Sequence, residues 1–231
     1  EPEKGIWVLR LNRPEVMNAW HGPMRAELAQ IMNEIATSDA RVVIFQGDDK
    51  SFSAGEDVRG MSGLTQGGTK NFRAIARQIH AAFDLIESVE VPVIAAIEGV
   101  AAGGGMELAL SCDFRVLGRK ARMGLPESNV GLIPGSGGCS RLVRAVGSGK
   151  AKQIVMLEGV MSAERANELG LVTRLVDAGE AMNAALEMAR QLCAKAPLAL
   201  GMAKVVINTC ADVDLETGRR LERIGQSVLK K

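Results

Sequence analysis

The stretch from Val93 to Cys112 constrains the fold of this chain more than any other. Val93–Ile97 is a run of apolar residues typical of a buried strand, and Gly103–Gly105 opens an apolar helix shortly after it. Buried strands that alternate with helices are the repeating unit of α/β folds, in which helices cover a sheet. The segment therefore predicts an α/β core in which a helix begins close to the end of a strand.

The same order of elements occurs in the first half of the chain. Ile6–Asn12 and Arg41–Gln46 are rich in strand formers, and apolar residues at helical spacing follow each of them. From about Cys139 onward the chain is mostly helical. Its last helix candidates are Gly179–Lys195, Pro197–Cys210 and roughly Asp214–Leu229. Since no low-complexity linker interrupts this order, we predict one α/β core with a helical extension.

The composition argues against several classes of protein. Lys and Arg number 28 against 27 Asp and Glu, and this net charge of +1 disfavours a dedicated nucleic-acid binder. The apolar runs are far shorter than the ~20 residues that span a bilayer, so no membrane span is expected. The 4 cysteines form no C-x-x-C pair and only 2 histidines are present, which argues against a zinc site. Free thiols suit a reducing compartment and no export signal opens the chain. We therefore expect a cytoplasmic protein or, if a leader was trimmed, one of the mitochondrial matrix.

Two common catalytic or phosphate-binding motifs are partly present, but a single residue is enough to rule out each of them. Ala151 stands where a phosphate-binding P-loop needs Ser or Thr. Pro134 stands where a nucleophile elbow around Ser136 needs glycine. A serine–histidine pair would have to use His21 or His80, and we expect a structural or surface role for each.

Two glycine-containing turns, each beyond a buried strand, are candidates for binding a negative oxygen atom. The first N–H groups of a helix have no partner inside the helix and lie at the positive end of its dipole. The N–H of Gly104 is such a group, and in the segment SFSAGED the N–H of Glu56 could reach the same atom. Two such donors form an oxyanion hole, where one donor lowers the barrier by about 3–4 kcal/mol. Taken alone, each turn is more readily explained as structural.

Glu107 and Glu127 are the candidate acid and base. Glu107 stands between Met106 and Leu108, and Glu127 comes shortly before the apolar Val130. Carboxylates are rarely buried without a partner, so a glutamate in an apolar segment suggests a function. Two carboxyl groups that share a pocket cannot both ionise easily, which makes one a proton donor and the other a base.

Together these segments resemble the crotonase (enoyl-CoA hydratase) superfamily over nearly the whole chain. The resemblance rests on LNRPEVMNA, SFSAGED, PVIAAIEGVAAGGGMELALSCD and FRVLGRKARMGLPESNVGLIPGSGG with the RLVRAVG that follows. It implies a crotonase-like spiral of ββα units with the active site over residues 1–195. It also implies a C-terminal helical trimerisation region over residues 196–231, expected to be incomplete at its end. Homotrimers of this family often pair into hexamers.

The resemblance also implies a reaction and its residues. Water would add across the 2,3-double bond of a trans-2-enoyl-CoA to give 3-hydroxyacyl-CoA, without a metal or redox cofactor. The N–H groups of Glu56 and Gly104 would hold the thioester carbonyl. Glu107 would activate water, and Glu127 would deliver a proton to carbon 2. The implied substrate-binding residues are Ala54, Glu56, Asp57, Val58, Arg59, Gly103, Gly104 and Gly135.

Within that set, Gly135 would help to hold the water, and Arg59 is the first candidate for the phosphates of coenzyme A, ahead of Arg13 and Lys50. Met61, Leu64 and the helix that contains Phe72 are candidates to line the acyl pocket. Glu56 stands where many relatives have a small or apolar residue, which leaves the acyl preference open.

The alternatives are another crotonase-type reaction on acyl-CoA, namely isomerisation, decarboxylation or thioester hydrolysis, and a non-catalytic relative that binds acyl-CoA or RNA. The filled Glu107 position favours hydration.

Overall fold

The computed structural model describes residues 3–57, 59 and 68–230. The strands are β1 (Ile6–Arg10), β2 (Val42–Gln46), β3 (Ser51–Ser53), β4 (Val93–Ile97), β5 (Val100–Ala102), β6 (Phe114–Gly118), β7 (Arg122–Gly124), β8 (Val160–Ser162) and β9 (Arg174–Val176). The α-helices are α1 (Gly22–Thr37), α2 (Gly68–Ser88), α3 (Gly104–Ser111), α4 (Gly138–Gln153), α5 (Ala163–Leu169), α6 (Ala181–Cys193), α7 (Pro197–Cys210) and α8 (Leu215–Leu229). Short 3-10 turns cover Pro14–Val16 and Glu127–Val130, and a π-helical turn covers Ile154–Glu158.

The strands form two sheets that the chain visits in turn. One sheet has the order β1-β2-β4-β6-β9 and is parallel throughout. The other has the order β3-β5-β7-β8, and its last pair is antiparallel. Each of the pairs β2–β3, β4–β5 and β6–β7 sends one strand to each sheet and is followed by helical structure. This arrangement confirms the predicted α/β fold with a spiral of ββα units.

The five-stranded sheet is buried on both faces, as a parallel sheet covered by helices should be. Alternate residues of β2 face opposite sides: Val42 and Ile44 pack with the alanine-rich face of α6, while Val43 and Phe45 join the main core. The main core also contains α3, whose residues from Gly105 to Ser111 are all buried. Helix α3 therefore lies inside the molecule, with only its first turn at the site described below.

Most predicted elements are confirmed with small shifts of their ends, but three strands were missed. These are β3, β5 and β8, each only 3 residues long. An alternating pattern needs more residues than that to be recognised. The polar β3 is nevertheless buried, because Ser53 Oγ donates to the Asn18 carbonyl (2.8 Å) and the Ser51 carbonyl accepts from Asn18 Nδ2 (2.9 Å).

The last two helices pack on each other, and one lysine ties α7 to the core. Lys204 is 8% exposed, and its Nζ donates to the carbonyls of Ile86 (3.0 Å) and Val91 (3.1 Å) and to Asp113 Oδ2 (2.8 Å). Asp113 also accepts from the Val93 N–H at the start of β4 (2.7 Å). The lysine thus joins α7 to α2 and to the strand that leads into α3.

Over the described part of the chain, no single helix is long and apolar enough to cross a membrane. Helices α6 and α7 taken together meet that test of length and composition, and they are bent by 107° with respect to each other.

Candidate active site

The first backbone donor at the site belongs to the turn after β3. Trp20 pairs with this turn: its N–H donates to the Gly55 carbonyl (2.7 Å), and its carbonyl accepts from the Asp57 N–H (2.9 Å). In a parallel pairing of this kind the residue between the two, Glu56, points its own N–H away from Trp20. That N–H donates no hydrogen bond to any residue that the structure describes. It is therefore available to a ligand.

The second donor is the N–H of Gly104, the first residue of α3. A group at this position has no acceptor within its helix, and among the described residues none outside the helix accepts from it. A Cβ placed on Gly104 would lie 3.7 Å from the Glu56 nitrogen, and one placed on Gly55 would lie 3.1 Å from the Gly104 nitrogen. The two amide groups that the sequence singled out therefore border one small space.

Glycine is required on both sides of this space. Gly55 has φ of +97° and Gly103 has φ of +51°, in the region that favours glycine. A Cβ on Gly55 would also lie only 2.9 Å from the Ala102 carbonyl. The main chains of the two turns can approach each other only because neither carries a side chain at these positions.

Trp20 forms the wall of this space, a role that the sequence analysis missed. Its Cδ1 lies 3.3 Å from the position of a Cβ on Gly104. The side chain is 2% exposed and meets Phe83 edge to face, with ring centroids 5.4 Å apart. No pattern in the sequence distinguished this tryptophan from an ordinary core residue.

Glu107 lies in the first turn of α3 and is buried, as its apolar surroundings predicted. It is 2% exposed, and its Oε1 accepts from the N–H groups of Ser136 (2.7 Å) and Gly138 (2.9 Å). Burial raises the pKa of Glu107, and these two N–H donors oppose that rise because they stabilise the charged form. The carboxyl group is thus held in one place by the loop before α4.

Glu127 opens the 3-10 turn after β7 and is half-buried. Its Oε1 lies 3.3 Å from the position of a Cβ on Gly103, so the carboxyl group is next to the entrance of α3. Its Oε2 is buried and has no hydrogen-bond partner among the described residues. Burial, with the nearby charge of Glu107, raises the pKa of Glu127 to about 7. At neutral pH this group therefore retains a proton in a large fraction of molecules.

The apolar residues on the two sides of Glu127 differ in burial. Leu125, two residues before it, is fully buried, whereas Val130 is 73% exposed and Ile133 is 75% exposed. Glu127 therefore lies at the edge of the core, where the chain leaves it.

The loop that holds Glu107 is anchored to α2, which was not foreseen. Arg141, in α4, is 7% exposed and binds Asp84 (2.6 Å) and Glu87 (2.8 Å) of α2 through Nη2. Its Nη1 donates to the Ser136 carbonyl (3.1 Å). Gly135 itself is exposed, and its carbonyl lies 2.5 Å from Nε2 of His80 in α2.

The Glu56 side chain turns away from the space between the amides. Arg25 Nη1 in α1 donates to both carboxylate oxygens, at 2.9 and 2.7 Å. The negative charge at position 56 is therefore paired with Arg25, and only the backbone of Glu56 borders the site.

Polar residues after this turn form an ion-pair cluster. Asp57 binds Arg13 Nη2 (3.1 Å) and Arg59 Nη2 (2.7 Å), and the Arg59 bonds together with Arg13 hold the pKa of Asp57 well below its usual range. Arg59 and Ala54 are exposed at the surface. The remaining predicted positions, Val58, Met61 and Leu64, lie outside the described residues.

The chain thus combines a spiral of ββα units with two backbone N–H donors and two glutamates at the start of one helix. Known proteins are similar to it in sequence and fold. The family model described as enoyl-CoA hydratase/isomerase matches residues 1–229, and the chain belongs to this family.

Individual relatives are similar over most of their length. A short-chain-enoyl-CoA hydratase of Clostridium acetobutylicum is 37% identical over 224 residues, which cover 96% of this chain and 85% of the relative. A crotonyl-CoA hydratase of Syntrophomonas wolfei is 36% identical with the same coverage. The crystal structure of an enoyl-CoA hydratase from Bacillus anthracis superposes with a TM-score of 0.91 at 35% identity, covering 96% of this chain and 86% of that one.

Proposed function

We propose that the protein is an enoyl-CoA hydratase that adds water to a trans-2-enoyl-CoA to give 3-hydroxyacyl-CoA. The observation that carries the proposal is the position of Glu107 and Glu127 beside the start of α3. Two backbone donors stabilise the charged form of Glu107, whereas Glu127 has an unpartnered buried oxygen and a raised pKa. The names of the relatives, short-chain-enoyl-CoA and crotonyl-CoA hydratase, support a short acyl chain as the first substrate to try.

The two free amide groups account for activation of the substrate. The thioester oxygen accepts from the N–H groups of Glu56 and Gly104, which draws electrons from the double bond and makes carbon 3 electrophilic. As water adds, negative charge moves onto this oxygen, so the donors bind the transition state more strongly than the substrate. Trp20 excludes water from one side of the oxygen.

The two glutamates divide the proton transfers between them. Glu107, whose carboxylate is stabilised by two backbone donors, takes a proton from water while the water oxygen bonds to carbon 3. Glu127, whose pKa is raised to about 7, gives its proton to carbon 2. One proton is accepted and one is released in each turnover, and exchange with solvent restores both groups.

Coenzyme A would extend from the site past the turn after β3. Ala54, Asp57 and Val58 lie along that path in the sequence, and Arg59 is exposed and carries a guanidinium group suited to a phosphate. Gly103 completes the turn at the entrance of α3, and Gly135 lies in the loop that holds Glu107. Arg59 binds Asp57 through Nε and Nη2, and its exposed guanidinium has further N–H donors that a phosphate could accept from.

Turnover of crotonyl-CoA, followed by loss of enoyl-thioester absorbance, tests the proposal. The wild-type protein should form a product heavier by one water, and Glu107→Gln and Glu127→Gln should each lower kcat at least ~100-fold. Glu34→Gln, on the exposed face of α1, is the matched control and should behave as wild type. An isomerised product of unchanged mass, free coenzyme A, or full activity in either site variant would contradict the proposal.

The reaction as proposed uses no metal or redox cofactor. No group of His, Cys, Asp and Glu side chains suited to a metal ion occurs among the residues that the structure describes. Because the proposed steps need only the two amides and the two glutamates, exhaustive treatment with a chelator should leave turnover unchanged.

The proposal extends to assembly as a homotrimer or a dimer of trimers, with residues 196–231 as the oligomerisation region. Large apolar side chains on its helices face outward, including Ile207 (67% exposed), Leu215 (70%) and Ile224 (61%). Sedimentation velocity would measure the size, and a monomer at micromolar concentration would contradict it.

A further inference from the structure

We propose that His80 is a positioning residue for Glu107 and acts through the peptide group between Gly135 and Ser136. The inference rests on the proposed hydration, in which Glu107 is the base that takes a proton from water. It concerns one face of α2 that the reaction does not otherwise use.

The peptide group in question has a partner at each end. Its carbonyl oxygen, on Gly135, lies 2.5 Å from His80 Nε2, and its N–H, on Ser136, donates to Glu107 Oε1 at 2.7 Å. A carbonyl oxygen can only accept, so Nε2 carries the hydrogen in this contact. The three groups therefore form a chain of two hydrogen bonds that runs from α2 to the buried carboxyl group.

Such a chain strengthens its own links. A donor to the carbonyl polarises the peptide group and makes its N–H a better donor, by an amount of about 10–30% per bond. The Ser136 N–H is the first of the groups that favour the charged form of Glu107 against the effect of burial; the others are the Gly138 N–H, the Ser136 side chain and the charge of Arg141. His80 thus helps Glu107 to act as a base without touching it.

The neighbouring peptide group is held by the same helix face. Asp84 and Glu87 follow His80 at helical spacing and bind Arg141, whose Nη1 donates to the Ser136 carbonyl. The second donor to Glu107, the N–H of Gly138, belongs to the peptide group that follows this one. Contacts with α2, direct or through Arg141, therefore hold the two peptide groups on either side of Ser136, the first of which donates to Glu107.

Other ionisable groups around Glu107 must be considered when its titration is measured. They are Glu127 in the 3-10 turn, Cys139 and Arg141 in α4, and Asp84 and Glu87 in α2. Substitution of His80 leaves all of them in place.

The test compares His80→Leu, which removes the donor, with His80→Gln, whose amide N–H can replace it. For crotonyl-CoA we expect His80→Leu to lower kcat about two- to fourfold, because the substitution weakens the Ser136 hydrogen bond to the charged Glu107 by a fraction and does not remove it. KM should change less than kcat does. The acid limb of its kcat–pH profile should move to higher pH, because Glu107 holds its proton more tightly. His80→Gln should restore most of kcat. Gln78→Leu, an exposed polar residue of the same helix, is the control.

A second measurement does not depend on turnover. The carboxyl carbon of Glu107, followed by NMR in the free protein during a pH titration, should titrate at higher pH in His80→Leu than in the wild type and His80→Gln. Equal titration and kcat in the wild type and His80→Leu, or an equal loss in the Leu and Gln variants, would overturn the inference. If the wild type does not hydrate crotonyl-CoA, the proposed function fails and the NMR titration still decides the role of His80.

Discussion

Replacing Gly104 by alanine tests the backbone oxyanion hole with little disturbance of the fold. The added Cβ would lie 3.7 Å from the Glu56 nitrogen and 3.5 Å from the Gly55 Cα, which are ordinary contacts. Only the 3.3 Å approach to Trp20 Cδ1 is tight. Since Gly104 does not have a positive φ, alanine can adopt its backbone conformation. The methyl group would nevertheless enter the space between the two amide nitrogens.

The expected effects on stability and on activity differ widely. Alanine in place of glycine in a helix is worth about 0.5–1 kcal/mol, which offsets a small shift of Trp20, so the free energy of unfolding should change by less than about 1 kcal/mol. The Gly104 N–H remains in the variant, but the methyl group would keep the substrate oxygen away from it. Loss of one oxyanion donor costs about 10²–10³ in kcat, so we expect a decrease of at least ~100-fold. A turn with only a structural role would show the small change in stability without the loss of kcat.

The assay is turnover of crotonyl-CoA beside urea unfolding of the same samples. Gly149→Ala is the matched control, because Gly149 is an exposed helical glycine with no atom within 4 Å of an added Cβ. Gly55→Ala is unsuitable, since its positive φ would strain the fold. If Gly104→Ala is stable and keeps kcat within about threefold of wild type, the two amides do not stabilise the transition state.

Two further results are expected from groups described above. Because the folded protein raises the pKa of Glu127 to about 7 from 4.5, the folded state holds a proton that the unfolded chain releases in this range. The wild type should therefore lose thermal stability relative to Glu127→Gln as pH rises from about 4.5 to about 7, and a constant difference in Tm would refute the burial of the carboxyl group. Lys204→Ala would leave Asp113 unpaired and should lower the free energy of unfolding by about 3 kcal/mol, measured in urea, whereas a loss under about 1 kcal/mol would show that the lysine does not tie α7 to the core.

The parts of the fold that could be predicted from the sequence are those with long, regular patterns. Val93–Ile97 and the helix over Pro197–Cys210 are found where they were predicted, because five apolar residues or four helical turns leave little ambiguity. The strand over Ser51–Ser53 is short, and its two serines can be buried because Asn18, from a distant part of the chain, bonds with their polar groups. Local pattern contains no such information.

The residues of the candidate site could be predicted from the sequence, but the hydrogen bonds and ion pairs that hold them in place could not. Glu107 and Gly104 stand out because a carboxylate and a glycine are unusual in a buried helix. The donors that hold Glu107 are backbone N–H groups, which nearly every residue possesses, on residues far from it in sequence. The link from Arg141 to α2 joins charged side chains that are equally far apart and ordinary in their own segments. The pairing of Glu56 with Arg25 was equally hidden, since neither residue is unusual in its own segment.

The pairing with Arg25 gives the backbone and the side chain of Glu56 separate roles. The peptide N–H at position 56 borders the space beside Gly104, while its carboxylate binds Arg25 of α1. Exchange of the side chain would therefore leave the N–H in place and change only how firmly the turn is attached to α1. A substitution at position 56 could therefore change the rigidity of the turn without changing the backbone donor that it presents.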